Sequence, residues 1–183
     1  MAALGISPYP RMIYEQIDKK VDFEKAISMC RFVNDKALWA CLAAMSIYFR
    51  ELDTTEIALA AIDEADKVHF INHAMTLPSE PSKSAAIALY CKKYKEAEQI
   101  LLQARLFYRA IKMNIKMFKW DRALEIAVQN KTHVDTVIAY RQRYLEKCGR
   151  PEDNQKFLQY SQDLEIDWPT IKEKIRADKE REA

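Results

Sequence analysis

Ala37–Phe49 is a run of thirteen residues without a charge, Ala-Leu-Trp-Ala-Cys-Leu-Ala-Ala-Met-Ser-Ile-Tyr-Phe. It is too short to cross a bilayer, which takes about 20 apolar residues. It holds neither Gly nor Pro and is rich in Ala and Leu, so it is expected to be helical. A helix that is apolar all round needs neighbours on most of its sides, so the run implies a stack of helices around it. Asp53-Thr-Thr-Glu56 follows with the pattern of a capping box. The next helix is expected over Thr54–Ile62, with Ala58, Ala60 and Ala61 as a small face that lets a partner approach closely.

The 183 residues contain only Gly5 and Gly149. That scarcity excludes the Gly-rich loops that wrap nucleotide phosphates. Helical periodicity or helix punctuation recurs along the chain. Asp22 caps Phe23–Val33, and Asn34-Asp35 restarts the chain into the apolar run. Lys67–Met75 follows, with Val68, Ile71 and Met75 at helical spacing. Leu77-Pro-Ser-Glu-Pro-Ser82 is the clearest break. Helices are then expected over Ser84–Tyr94, Tyr94–Ala104, Arg105–Phe118, Trp120–Asn130 and Thr132–Cys148, the last closed by Gly149 and Pro151. Asp153–Leu164 and a helix capped by Asp167, with Pro169 in its first turn, complete the list.

Four helices carry a shared signature: Phe23-x-x-Ala26, Thr55-x-x-Ala58, Tyr94-x-x-Ala97 and Trp120-x-x-Ala123. The large or branched residue fills a groove and the alanine admits the paired helix. The alanines lie 32, 39 and 26 residues apart, around the roughly 34 residues of a tetratricopeptide hairpin. The fold expected is all-α: an α-solenoid of stacked tetratricopeptide-like helical hairpins. Residues 21–171 form the solenoid, 1–20 a linker or strand remnant, and 172–183 a charged, partly frayed helical tail.

Net charge is −2 over residues 1–104, +7 over 105–150 and −3 over 151–183. Within the basic zone Arg105, Arg109, Lys112, Lys116 and Lys119 fall within an arc of roughly 80° on one helix. Leu106, Phe107, Ala110, Ile111, Met113, Met117 and Phe118 occupy the opposite arc. The ridge is either an ordinary solvated face or a docking surface for an acidic protein. Nucleic acid fits poorly, since net charge is only +2 and no aromatic interleaves the ridge. The acidic segment containing Glu51, Asp53, Glu56, Asp63, Glu64 and Asp66 also allows two copies to associate through the ridge.

Other chemistry is thin. His69 and His73 share a helical face, as a metal pair requires, but no glutamate base lies between them. Read plainly they are surface polar residues; a metal-dependent enzyme is a remote alternative. Cys30, Cys41, Cys91 and Cys148 form no C-x-x-C pair and are expected to be reduced and mostly buried. Trp39 and Trp120 are expected in the core, as is Trp168, with more exposure. No catalytic, cofactor or metal residue is assigned. No secretory signal is seen, and Asn130-Lys131-Thr132 is treated as a chance sequon.

Several longer strings are specific. Cys30-Arg-Phe-Val-Asn34, Leu38-Trp-Ala-Cys-Leu-Ala-Ala-Met45, Ala60-Ala-Ile62 and Asp66-Lys-Val68 resemble the solenoid of the intraflagellar transport protein 80 family. Trp120-Asp-Arg-Ala-Leu-Glu-Ile-Ala127, Lys131-Thr-His-Val-Asp-Thr-Val137, Ala139-Tyr-Arg-Gln142 and Ile166-Asp-Trp168 extend the likeness over about residues 6–176. The resemblance implies a solenoid that follows two β-propellers, with Gly5-Ile-Ser-Pro-Tyr-Pro10 similar to the exit of the second. It implies a non-catalytic scaffold in the peripheral part of the train-B complex, which supports cilium assembly and anterograde transport. The implied partners are other train-B subunits, with no nucleic acid and no membrane insertion. The implied locations are cytoplasm, cilium, ciliary base and axoneme. A solenoid from a related vesicle-coat or WD-repeat scaffold is the alternative.

Overall fold

Tight left-handed turns, rather than glycines, punctuate this chain. The computed structural model describes residues 22–182 except 163 and 165. The expected linker over 1–20 lies outside them. Eleven helices and no strand occur among the described residues. They are α1 Phe23–Val33, α2 Lys36–Phe49, α3 Leu52–Ala61, α4 Ala65–Met75, α5 Glu80–Tyr90, α6 Tyr94–Gln103, α7 Phe107–Lys116, α8 Trp120–Gln129, α9 Val134–Cys148, α10 Gln155–Gln162 and α11 Trp168–Glu182. The chain divides into two units, Met1–Leu77 and Pro78–Ala183. The boundary falls in the break expected at 77–82, although α5 already begins inside that stretch.

The junctions share one geometry. Lys92, Arg105, Phe118 and Lys131 have φ of 59°, 59°, 57° and 51°, and follow one another every 13 residues. Arg50 and Asp63 repeat the spacing in the first unit. At each of the six junctions the next N–H bonds the carbonyl five residues back: Lys93 to Ala88 and Lys119 to Asn114, for example, both at 2.9 Å. This is a Schellman closure, which satisfies carbonyls that a helix end would leave orphaned. Ten helical residues and three of turn make each repeat in α6, α7 and α8. The alanine intervals of 39 and 26 are therefore multiples of 13, so the unit of repetition is a single helix and its turn.

In the first unit, α1 packs on α2 and α3, α2 on α3, and α3 on α4. Ala26, Cys30, Leu38, Trp39, Leu42, Ala43, Ala58, Leu59 and Ile71 build its core. The apolar helix α2 is not covered on most sides. It buries Leu38, Trp39, Leu42, Ala43, Ser46 and Ile47, and exposes Ala40, Cys41, Ala44 and Tyr48. Its outer face joins the small residues Ala40, Cys41 and Ala44 to two exposed aromatics at its end, Tyr48 and Phe49, whose rings meet edge-on at 5.3 Å. The small face of α3 is also narrower than expected: Ala58 is buried while Ala60 and Ala61 are exposed. Their place is taken by Thr54 and Thr55, and the Thr55 hydroxyl meets that of Ser46 on α2 at 2.8 Å. Because α3 begins at Leu52, Asp53 sits in its first turn instead of capping it.

In the second unit, α5 pairs with α6, α7 with α8, and α9 receives α8, α10 and α11. Ala97, Leu101, Ala110, Ile111, Trp120, Ala123, Leu124, Ile126, Val137 and Phe157 form a separate core. The four signature alanines, Ala26, Ala58, Ala97 and Ala123, are all 0% exposed, which is the packing role their spacing suggests. Gly149 closes α9 at φ 64°. Trp39 and Trp120 are buried; Trp168 is half-buried, edge-on to Tyr140. Of the cysteines only Cys30 is buried, and burial pushes its thiol up to about 11. Cys41, Cys91 and Cys148 are exposed, against expectation, because each falls on the outer side or at the end of its helix.

Candidate interaction surface

The basic ridge is shorter than its periodicity suggests. Only Arg109, Lys112 and Lys116 lie on α7; Arg105 occupies the left-handed turn before it and Lys119 immediately precedes α8. The opposite face is packed through Tyr108, Ala110, Ile111, Met113 and Asn114. Phe118, expected among the packed residues, is exposed in its turn, with its ring against Trp120 and Tyr144. Lys116, Lys119 and Arg105 are exposed, and the Lys119 ammonium lies 5.4 Å from the centre of the Tyr94 ring.

Arg109 is not free. Its guanidinium pairs with Glu182 at the far end of α11. The same carboxylate accepts from the Ser82 hydroxyl and, at 2.8 Å, from the Ser79 hydroxyl. Burial works to raise the Glu182 carboxyl, but these donors, Arg109 foremost, outweigh it and hold the group below its ordinary value. The Glu182 side chain is 3% exposed. Most residues of the charged tail expected over 172–183 are exposed, but the helix continues to Glu182 and one side of it is tied to the fold, so that α11 forms a clasp. Lys174 pairs with Asp135, and Asp178 meets buried His133 at 2.5 Å. Residues 174, 178 and 182 follow at intervals of four, so all three reach one side of the helix. The other ring nitrogen of His133 contacts the Thr136 hydroxyl at 3.0 Å, and its ring lies 5.0 Å from that of Tyr108.

Where α11 crosses α7 a cavity of about 510 Å³ remains, lined among others by Arg105, Tyr108, Arg109, Lys112, Lys179 and Glu182. Burial pushes the Lys112 ammonium below its usual value, and the charges of Lys116, Lys179 and Arg109 push the same way. Elsewhere charges are tied within the fold. Arg122 and Asn114 both donate to Glu98, at 2.7–2.9 Å, and hold its carboxyl down although burial opposes them. Arg141 grips Glu152 through two bonds of 3.0 Å while stacking near Trp120 and Phe157. His69 and His73 are exposed on α4, and no group of three metal-ligating side chains occurs among the described residues. None of the described helices is long and apolar enough to cross a membrane.

His133, Asp178 and Glu182 carry this surface and were not singled out in the sequence. The i, i+4, i+8 spacing of Lys174, Asp178 and Glu182 is a visible signal, but their partners lie 39, 45 and 73 residues away.

A family model described as the IFT80/172/WDR35/WDR19 TPR domain matches residues 38–183. The chain belongs to this tetratricopeptide-domain family. Its helices thus form an all-α solenoid fold of tetratricopeptide type, as the hairpin signature suggested. Two curated relatives, the intraflagellar transport protein 80 homologues of Rattus norvegicus and Mus musculus, are 50% and 49% identical over 181 residues. That covers 98% of this chain, which spans 23% of the length of each relative. Intraflagellar transport protein osm-1 of Caenorhabditis elegans is 28% identical over 125 residues, 60% of this chain and 7% of that protein. The resemblance carried by the strings between Cys30 and Trp168 therefore extends along nearly the whole chain.

Proposed function

We propose that this chain is a non-catalytic interaction module of an intraflagellar transport subunit. It belongs in the peripheral part of train B, where it supports cilium assembly and anterograde transport at the ciliary base and along the axoneme. The observation that carries the reading is half identity over 98% of the chain to two intraflagellar transport protein 80 homologues. The mechanism is surface presentation. Helical repeats pack through buried alanines and so hold exposed side chains at fixed spacing. The contact ridge proposed is Arg105, Arg109, Lys112, Lys116 and Lys119, of which Arg105, Lys116 and Lys119 are exposed.

The test is capture from ciliated-cell extract with the wild-type chain and an Arg105→Glu/Lys116→Glu variant, read by mass spectrometry. Those two residues are chosen because reversing Arg109 would also break the clasp. The wild type is expected to enrich train-B subunits and the variant to lose them. Equal enrichment by both refutes the ridge, and enrichment by neither refutes the functional reading.

A further inference from the structure

The Glu182 contact has the composition of a carboxylate-binding site. A guanidinium from α7 and two hydroxyls from the start of α5 converge on one carboxylate. The Ser82 side chain belongs to a residue 2% exposed, so the seat is not a loose surface pairing. Ser79 is the residue before α5, whose first turn holds Glu80, paired with Lys83, and Pro81. The carboxylate comes from the last turn of α11, the part of the clasp furthest from Ile171, its one buried residue.

Around the seat the charge is not balanced. The lining of the adjoining cavity includes Arg105, Arg109, Lys112, Lys179 and Arg181, against Asp178 and Glu182. Glu182 answers Arg109; Asp178 answers His133 and, at 2.8 Å, Arg181. Among the described residues no carboxylate forms an ion pair with Arg105, Lys112 or Lys179. Lys112 is half-buried, with its ammonium 5.7 Å from the Tyr108 ring centre. Three cations thus stand beside a seat already filled by the kind of group it recognises. A ligand with several carboxylates could use all of them, whereas Glu182 uses one.

We propose that the Ser79–Ser82–Arg109 seat, with Arg105, Lys112 and Lys179 around it, docks an Asp- and Glu-rich segment of a partner protein, and that Glu182 of α11 is its built-in competitor. The site is closed when the last turn of α11 lies down and open when an acidic segment displaces it. The inference deepens the ridge reading and rests on it, but not on the ciliary assignment. An occupied seat lowers apparent affinity by the fraction of molecules in which it is free.

The experiment is a fluorescence-anisotropy titration of the whole chain with a labelled octapeptide of alternating Asp and Glu at low ionic strength. Glu182→Ala empties the seat and is expected to tighten binding by about tenfold. Adding Arg109→Ala to that variant removes the gain. Should Arg109→Ala lower the melting temperature, Arg105→Glu on the Glu182→Ala background gives the same test through an exposed residue. Binding no tighter in Glu182→Ala than in wild type overturns the proposal, as does a gain that survives both cation changes. Inorganic phosphate competing as well as unlabelled peptide overturns the peptide assignment in favour of a small-anion site. Subunit capture from extract is read separately, so its failure and failure of the seat are distinguishable.

Discussion

Ala58 and Ala60 lie two residues apart on α3, and only their surroundings differ. Ala58 is 0% exposed and faces the α2 contact one turn after Thr54 and Thr55; Ala60 is exposed. Across that contact the Ser46 and Thr55 hydroxyls are 2.8 Å apart, which fixes how near the two helices run. Leucine at either position makes the same small change in helix propensity. At Ala60 the added carbons enter water, and the effect should stay within about 0.5 kcal/mol. At Ala58 they enter a filled contact. Overpacking of this kind costs about 1–3 kcal/mol, and here the helices must also part at a buried hydrogen bond, so about 2 kcal/mol is expected. For a unit this size that is a fall in melting temperature of roughly 8–16 °C. The assay is thermal unfolding of Ala58→Leu and Ala60→Leu by circular dichroism, with urea midpoints as a second readout. If Ala58→Leu melts within 2 °C, or about 0.3 kcal/mol, of Ala60→Leu, close approach through the signature alanines is refuted.

Three further outcomes follow from the same geometry. Gly149→Ala should lose about 1 kcal/mol in urea unfolding although a methyl there meets nothing within 4 Å, because φ is 64°; Lys92→Gly, at φ 59°, should instead gain about 0.5–1 kcal/mol, and two shifts of the same sign would refute the backbone argument. Phe157→Ala should cost the second unit about 3–5 kcal/mol and remove hydrogen-exchange protection from α10, since Phe157 is the one buried residue of that helix; protection unchanged would show that α10 is held otherwise. Glu98, Asp135, Glu152 and Glu182 all have folded values below the ordinary 4.5 for Glu and 3.8 for Asp, so their contribution is present above those values and lost as pH falls through the lower folded ones; urea resistance of the second unit should fall below about pH 4.5, and a flat profile down to about pH 3 would contradict it.

Much of the helical order could be read along the chain. Asp22 caps α1, Trp120 opens α8 and Gly149 closes α9, and these signals act over one turn. Less legible was the punctuation. Lys92, Arg105, Phe118 and Lys131 adopt a conformation that favours glycine, so nothing in their identity marks the turns, and the helix expected over Arg105–Phe118 loses both ends to them. Ala58 and Ala60 are two residues apart, about 200° around any α-helix, so they could not share a face wherever α3 begins; that Ala58 is the one turned inward was decided by packing against α2.

By itself the sequence determined what is local: the helical character, the alanines that let helices approach, the glycine stop and the strings that resemble a family. These rest on interactions between residues three and four apart, which any helix brings together. Only the tertiary structure decided the fate of the charges. Glu182 meets Arg109 across 73 residues and Ser79 across 103, and nothing in a charged stretch distinguishes a carboxylate that will be buried from one that stays in water. The physical reason is that an ion pair is specified by where two surfaces close, and that closure is set by packing far from either residue.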